Sequence, residues 1–180
     1  TKGFAFEVLL EDVQTLNQWA LEGKLSITKL SYGVLPLVLD KYSVMNSGSA
    51  LGKGVGPLLI SASIINDEPI EDILVAIPGE NTTAHLLFSM AYPNAKNKVF
   101  LRYDEIENFV LANKGLGVII HENRFTYEAK GLKKIIDLGD FWENKTGNAI
   151  PLGGIVIKKE IDISTQHTID ALIKKSIEYA

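Results

Sequence analysis

Short apolar runs of strand character alternate with segments whose apolar residues recur every three or four positions, along nearly all 180 residues. Strands and helices in alternation are joined most simply by crossovers, so this rhythm predicts an α/β fold with mostly parallel pairing. Phe4–Leu10 reads as the first strand. Asp12 is placed to cap a helix that carries Val13, Leu16, Trp19 and Ala20 on one side, and Gly23 to end it in the left-handed conformation. Leu25–Leu30 and Tyr42–Met45 follow as strands, around a short helical stretch at 32–40 where Pro36 fits only in a first turn or at a kink. A glycine-rich loop at 47–56 leads into strand character at Pro57–Ala62. The polar, acidic stretch 63–72, with Pro69, is the expected first crossing between lobes. Strands at 73–77, 99–103, 117–120, 134–138 and 150–159 then alternate with helices at 82–90 and 104–113. An amphipathic helix at 164–180 presents Ile169, Leu172, Ile173 and Ile177 on one face. Trp19, Trp142 and the apolar helix faces are assigned to core packing.

An apolar fraction of 46% is that of a folded chain with a core, and a net charge of −4 without a basic block offers no footprint for nucleic acid. Having no cysteine excludes a disulfide framework, a zinc–thiolate site and a thiol nucleophile, and suits a cytoplasmic setting. No apolar run reaches the roughly 20 residues of a membrane span, and no secretory signal is visible. The start at Thr1-Lys2-Gly3 is expected of a piece whose N-terminus lies upstream. With only His85, His121 and His167, scattered along the chain, no metal site is expected.

Four segments compete for a functional reading. The loop Ser47–Gly56 tempts comparison with a phosphate loop, but three residues rather than four separate Gly48 from Gly52, Gly54 follows Lys53, and a strand comes next instead of a helix. It reads as a tight crossover that uses glycine at positive φ. In Pro78-Gly79-Glu80-Asn81-Thr82-Thr83, a buried-type strand meets a helix start. There the backbone amides near Thr82, Thr83 and Ala84 could receive a carboxylate or phosphate, or Asn81 or Thr82 could simply cap the helix. In Ile119-Ile120-His121-Glu122-Asn123-Arg124, an apolar strand ends in a histidine. This is where ligands sit in open α/β sheets, and imidazole is the natural base near neutral pH. Position alone leaves open a histidine satisfied by a backbone carbonyl. Finally, Lys29-Leu30-Ser31 brings a cation and a hydroxyl to a strand end, where they could meet an anionic substrate, or stand as an exposed lysine beside a capping serine. His85 and His167 fall within expected helices, packed or solvated.

Read together, Leu10-Glu11-Asp12-Val13, Thr15-Leu16-Asn17, Ala20-Leu21-Glu22-Gly23-Lys24, Thr28-Lys29-Leu30-Ser31-Tyr32, Gly48 through Pro57, Val75 to Thr83, Ile119 through Tyr127, Asp137-Leu138-Gly139 and Pro151-Leu152-Gly153-Gly154 resemble the 1,4-dihydroxy-6-naphthoate synthases of the futalosine route to menaquinone. The resemblance runs over nearly the whole chain. It implies a two-lobe fold like that of class II periplasmic binding proteins, with substrate in the cleft. Residues 1–61 and 154–180 would form the first lobe, and 62–153 the second. It implies His121 as catalytic base, with substrate contacts at Lys29, Leu30, Ser31, Thr82, Thr83 and Ala84. The reaction it implies is a carbon–carbon lyase step, cyclic dehypoxanthinylfutalosine to 1,4-dihydroxy-6-naphthoate, on a small carboxylate-bearing substrate and without a cofactor. It further implies a strand–helix unit before residue 1 and helices after residue 180. The alternatives are the related chorismate dehydratase, which shares the architecture, and a non-catalytic anion-binding or solute-binding protein. The run Glu122 to Tyr127 after His121 favours the synthase.

Overall fold

The structure, a computed structural model, describes residues 3–64 and 69–180. In chain order its elements are α1 (Val13–Glu22), β1 (Ile27–Ser31), β2 (Tyr42–Val44), β3 (Ala50–Gly52), β4 (Leu58–Ser61), β5 (Val75–Ile77) and α2 (Thr83–Ala91). There follow β6 (Lys98–Phe100), α3 (Ile106–Leu111), β7 (Leu116–Ile119), α4 (Asn123–Thr126), β8 (Lys133–Asp137), α5 (Leu138–Thr146), β9 (Ile150–Lys158) and α6 (Ile163–Tyr179). The chain divides into two compact units, Thr1–Ala50 with Leu152–Ala180, and Leu51–Pro151. Part of the expected crossing, residues 65–68, lies outside the described residues. Among the described residues, no helix is long and apolar enough to cross a membrane.

In the first unit, β9 runs antiparallel to both β1 and β2, with Leu30 opposite Gly154 and Ser31 opposite Gly153. The expected cap holds: the Asp12 carboxylate accepts from the Gln14 and Thr15 amides, and Gly23 ends α1 at φ 68°. The sheet and α1 enclose Ala20, Leu30, Val34, Val38, Tyr42 and Val156, while Met45, Ile157 and Ile169 make a second cluster against α6. The Tyr42 hydroxyl donates to the Leu25 carbonyl at 2.7 Å, and burial pushes its pKa up.

The second unit holds a five-stranded sheet in the order β6-β5-β7-β4-β8. β6, β5, β7 and β8 all point the same way, and β4, between β7 and β8, runs against both of them. The core of this unit packs Leu58, Ile60, Ala76, Ile106, Val110, Ile119, Tyr127 and Leu132. Gly117 makes room for α3, because a Cβ there would lie 2.5 Å from Ile106 Cγ2 and 2.6 Å from Val110 Cγ2.

The structure departs from the sequence expectations in several places. Mostly parallel pairing is wrong: hydropathy periodicity reports which residues face inward and carries no information on strand direction. Residues 58–61, expected in the first lobe, are hydrogen-bonded into the second unit's sheet. Phe4–Leu10 is not a strand; Val8 is 74% and Leu10 89% exposed, and β-propensity is realised only against a neighbouring strand. The stretch expected as a helix at 32–40 is one 3-10 turn, Leu35–Leu37, with Pro36 inside it. The helix α5 was not expected, because its face pattern is weak, although Asp137 and Gly147 are its ordinary start and stop residues. Neither tryptophan is fully buried: Trp19 lies under the Lys24 ammonium, 3.5 Å from the ring centre, and the Trp142 indole donates to the Ala149 carbonyl.

Candidate active site

Because β6, β5 and β7 are parallel, their carboxyl ends open on one edge of the second sheet. Tyr103 follows β6, the turn Pro78–Thr82 follows β5, and His121 follows β7. That edge is where open α/β sheets receive ligands. All four residues of β7 are buried, whereas His121 is exposed, so the chain carries the imidazole from core to surface within two residues. The histidine backbone is left-handed, at φ 58°, a conformation that crowds any Cβ. Its ring stands edge-on to Tyr103, with centroids 5.6 Å apart and planes at 85°. Tyr103 was missed in the sequence; its one signal is an aromatic residue at the end of an expected strand.

The turn after β5 is built from its own side chains. The Thr82 hydroxyl donates to the Gly79 carbonyl at 2.8 Å and accepts from the His85 amide at 3.2 Å, so it caps α2. Thr83 is 6% exposed, and its hydroxyl donates to the Pro151 carbonyl at 3.4 Å; Ala84 is 3% exposed. Both threonine hydroxyls are thus used within the protein. What this turn can offer an anion is the main chain of the first helical turn and the positive end of the helix dipole. His85 is engaged too. Its Nδ1 donates to the Glu80 carbonyl at 2.7 Å, and its Nε2 accepts from Lys98 Nζ at 3.2 Å. Lys98 also donates to the Ser89 hydroxyl at 2.9 Å, and burial holds its pKa below the usual lysine range. His167 is exposed on α6.

The glycine-rich loop has a structural job. Arg124, on α4, donates to the Gly56 carbonyl at 2.8 Å and the Gly54 carbonyl at 3.1 Å, and pairs with Asp137 at 2.6 Å. Glu143 accepts from the Gly54 amide at 2.7 Å. Of the glycines in the loop, Gly48 and Gly54 take positive φ. Gly56 is needed for a close approach instead, since a Cβ there would lie 2.7 Å from the Gly139 Cα.

In the first unit, Lys29, Leu30 and Ser31 differ in what they can reach. Lys29 is exposed. Leu30 is fully buried in the core, so any ligand could meet only its main chain. Ser31 is 5% exposed and bound by Asn17: its amide donates to Asn17 Oδ1 at 2.8 Å, and its hydroxyl accepts from Asn17 Nδ2 at 3.1 Å. Asn17 itself is wholly buried, and a polar residue on the core side of an expected helix was the signal for it. Nearby, Tyr32 and Ser49 share a hydroxyl–hydroxyl bond of 2.6 Å, over the space that a Cβ on Gly154 would fill. Among the described residues, no cluster of three acidic or histidine side chains could hold a metal ion.

Comparison with known proteins bears on the family and the fold. The sequence profile of a family described as menaquinone biosynthesis matches residues 1–180. A 1,4-dihydroxy-6-naphtoate synthase from Thermus thermophilus is 43% identical over 175 residues, 97% of this chain and 63% of that protein. The chain therefore spans less than two thirds of that relative's length. The crystal structure of protein AF1704 from Archaeoglobus fulgidus superposes with a TM-score of 0.90 at 31% identity, over 96% of this chain and 64% of that one. The substrate-binding protein of an amino acid ABC transporter shares the fold at a TM-score of 0.63 and 12% identity, over 96% of this chain and 74% of its own. The α/β fold is thus of the periplasmic binding-protein type, and the chain belongs to the menaquinone-biosynthesis family.

Proposed function

We propose that the protein carrying this chain is a carbon–carbon lyase that forms 1,4-dihydroxy-6-naphthoate from cyclic dehypoxanthinylfutalosine in the cytoplasm, with His121 as general base. The observation that supports this best is an exposed imidazole at the carboxyl edge of β7, in a chain 43% identical to a protein named for that product. Neutral His121 takes the proton of a substrate hydroxyl. The resulting alkoxide collapses to a carbonyl as the adjacent carbon–carbon bond breaks in a retro-aldol-like step; the bond's electron pair passes to the ring-side carbon, which takes up the proton held by His121, and aromatisation of the ring draws the reaction forward. The scheme needs no metal or organic cofactor. The substrate carboxylate is assigned to the start of α2, at the main chain of Thr83 and Ala84, because the hydroxyls of Thr82 and Thr83 are already used as donors. Thr82 contributes by shaping that turn. In the first unit, Lys29 supplies an exposed cation, and Leu30 and Ser31 are assigned as the strand end beside it. General-base catalysis is typically worth about 10²–10⁴-fold, so placement of the substrate supplies much of the remaining rate.

The test is incubation of the full-length protein with the cyclic futalosine derivative, read by naphthoate absorbance, beside His121→Ala. The expected result is turnover by the parent and a loss of about 10²–10⁴-fold in kcat in the variant, with substrate binding largely kept. Equal turnover by both would remove His121 from its role. Release of water from chorismate would make the protein a dehydratase instead.

A further inference from the structure

We propose that Arg124 is a positioning residue for His121, setting the direction of the imidazole through the turn that joins them; this rests on the assignment of His121 as base. The chain leaves β7 at Ile119, turns left-handed at His121 and enters the single-turn helix α4 at Asn123. A non-glycine residue stays left-handed only where its surroundings over-determine it. The Arg124 amide donates to the His121 carbonyl at 3.3 Å, closing the turn around that carbonyl. Its guanidinium then fixes the turn to the rest of the unit by three contacts at once: the Gly56 and Gly54 carbonyls, and the Asp137 carboxylate at 2.6 Å. The pair is well shielded, with the arginine side chain 16% and the aspartate 6% exposed. Asp137 is itself held, because its other oxygen accepts from the Gly139 and Asp140 amides at the start of α5. The left-handed histidine is therefore tied, through one side chain three residues on, to a loop and a helix start that are both fixed. Glu122, Phe125 and Thr126 of the same turn are exposed, so none of them could do this by burial. Lysine could keep the charge but could not span the carbonyls and the carboxylate together, since that needs the planar fork of arginine.

The proposal is tested on the full-length protein with Arg124→Lys and Asp137→Asn, beside His121→Ala. Folding is checked by circular dichroism and thermal midpoint. Steady-state turnover gives kcat and KM separately, and nitrogen-15 spectra of the imidazole report the tautomer and environment of His121. In each variant that folds, kcat is expected to fall tenfold or more while KM changes less than about threefold, and the His121 resonances to move; displacements of this kind near a reacting group cost up to about 10²-fold. A folded variant with kcat within twofold of the parent and unmoved His121 resonances overturns the proposal. Loss of folding in both variants overturns it as well, because the pair would then serve stability alone. If His121→Ala turns over like the parent, the base assignment fails and the proposal fails with it. The imidazole spectra of Arg124→Lys still show separately whether arginine orients the ring.

Discussion

At φ 58°, the His121 backbone crowds its own Cβ against the following carbonyl, at a cost of about 1–2 kcal/mol. Glycine removes that crowding and alanine does not. His121→Gly is therefore expected to be more stable than His121→Ala by about 1 kcal/mol in denaturant titrations, although both lack the imidazole. Equal stabilities would place the residue outside the left-handed region in solution. Gly117 presents the opposite case, where space decides. Methyl groups of Ile106 and Val110 occupy the position of its missing Cβ, so Gly117→Ala should lose about 1–3 kcal/mol, seen as a lower thermal midpoint. An unchanged midpoint would mean that α3 shifts away from the sheet without penalty. The same attention to single residues separates what could be foreseen at the site. His121 was visible because a histidine closing an apolar strand is conspicuous. Tyr103 was not, because it and His121 are 18 residues apart in the chain and follow strands that the sheet sets on either side of β5.

Helix ends in this chain follow local chemistry closely. Asp12 and Asp137 cap α1 and α5, and Gly23 and Gly147 end them in the left-handed conformation. Asp12→Ala should cost about 1 kcal/mol of stability, measured by chemical denaturation, since two backbone amides lose their acceptor. Asp162 caps α6 in the same way. Hydrogen bonds from the Ser164 hydroxyl and from Thr165 hold its pKa down to about 2, against the usual 3.8. The folded value lies below the unfolded one, so this contribution to α6 is fully present above about pH 4. It is lost as pH falls through about 2. Amide exchange in the first turn of α6 is therefore expected to accelerate over that window in the parent. In Asp162→Ala it should be fast and independent of pH across the same window, beyond the ordinary chemistry of exchange. Strand ends obey no such local code. Phe4–Leu10 has the composition of a strand and is not one, and β4 has that composition and joins a sheet at a place its sequence does not announce.

The two units differ in how the chain builds them. The first is assembled from both ends of the sequence, with β9 returning between β1 and β2. The second is one continuous stretch, Leu51–Pro151, with its own sheet and its own apolar cluster. Residues 51–151 expressed alone are accordingly expected to fold, with protected amides in β4, β5 and β7 and a cooperative thermal transition. A fragment with uniformly fast amide exchange would show that its core depends on the remainder of the chain. Residues 1–50 alone are expected not to fold, because β1 and β2 each pair only with β9 among the described residues.

Periodicity and capping chemistry were enough to establish the α/β class, most element positions, and a histidine where an apolar strand ends. These follow from interactions within a few residues, which a sequence carries in order. Strand direction, the placement of β4, the commitment of the Thr82 and Ser31 hydroxyls to the protein itself, and the arginine that ties His121 in place were decided by the fold. Each of these depends on partners that are far apart along the chain and become neighbours only when the sheets close, as Arg124 does with Gly54 and Asn17 with Ser31.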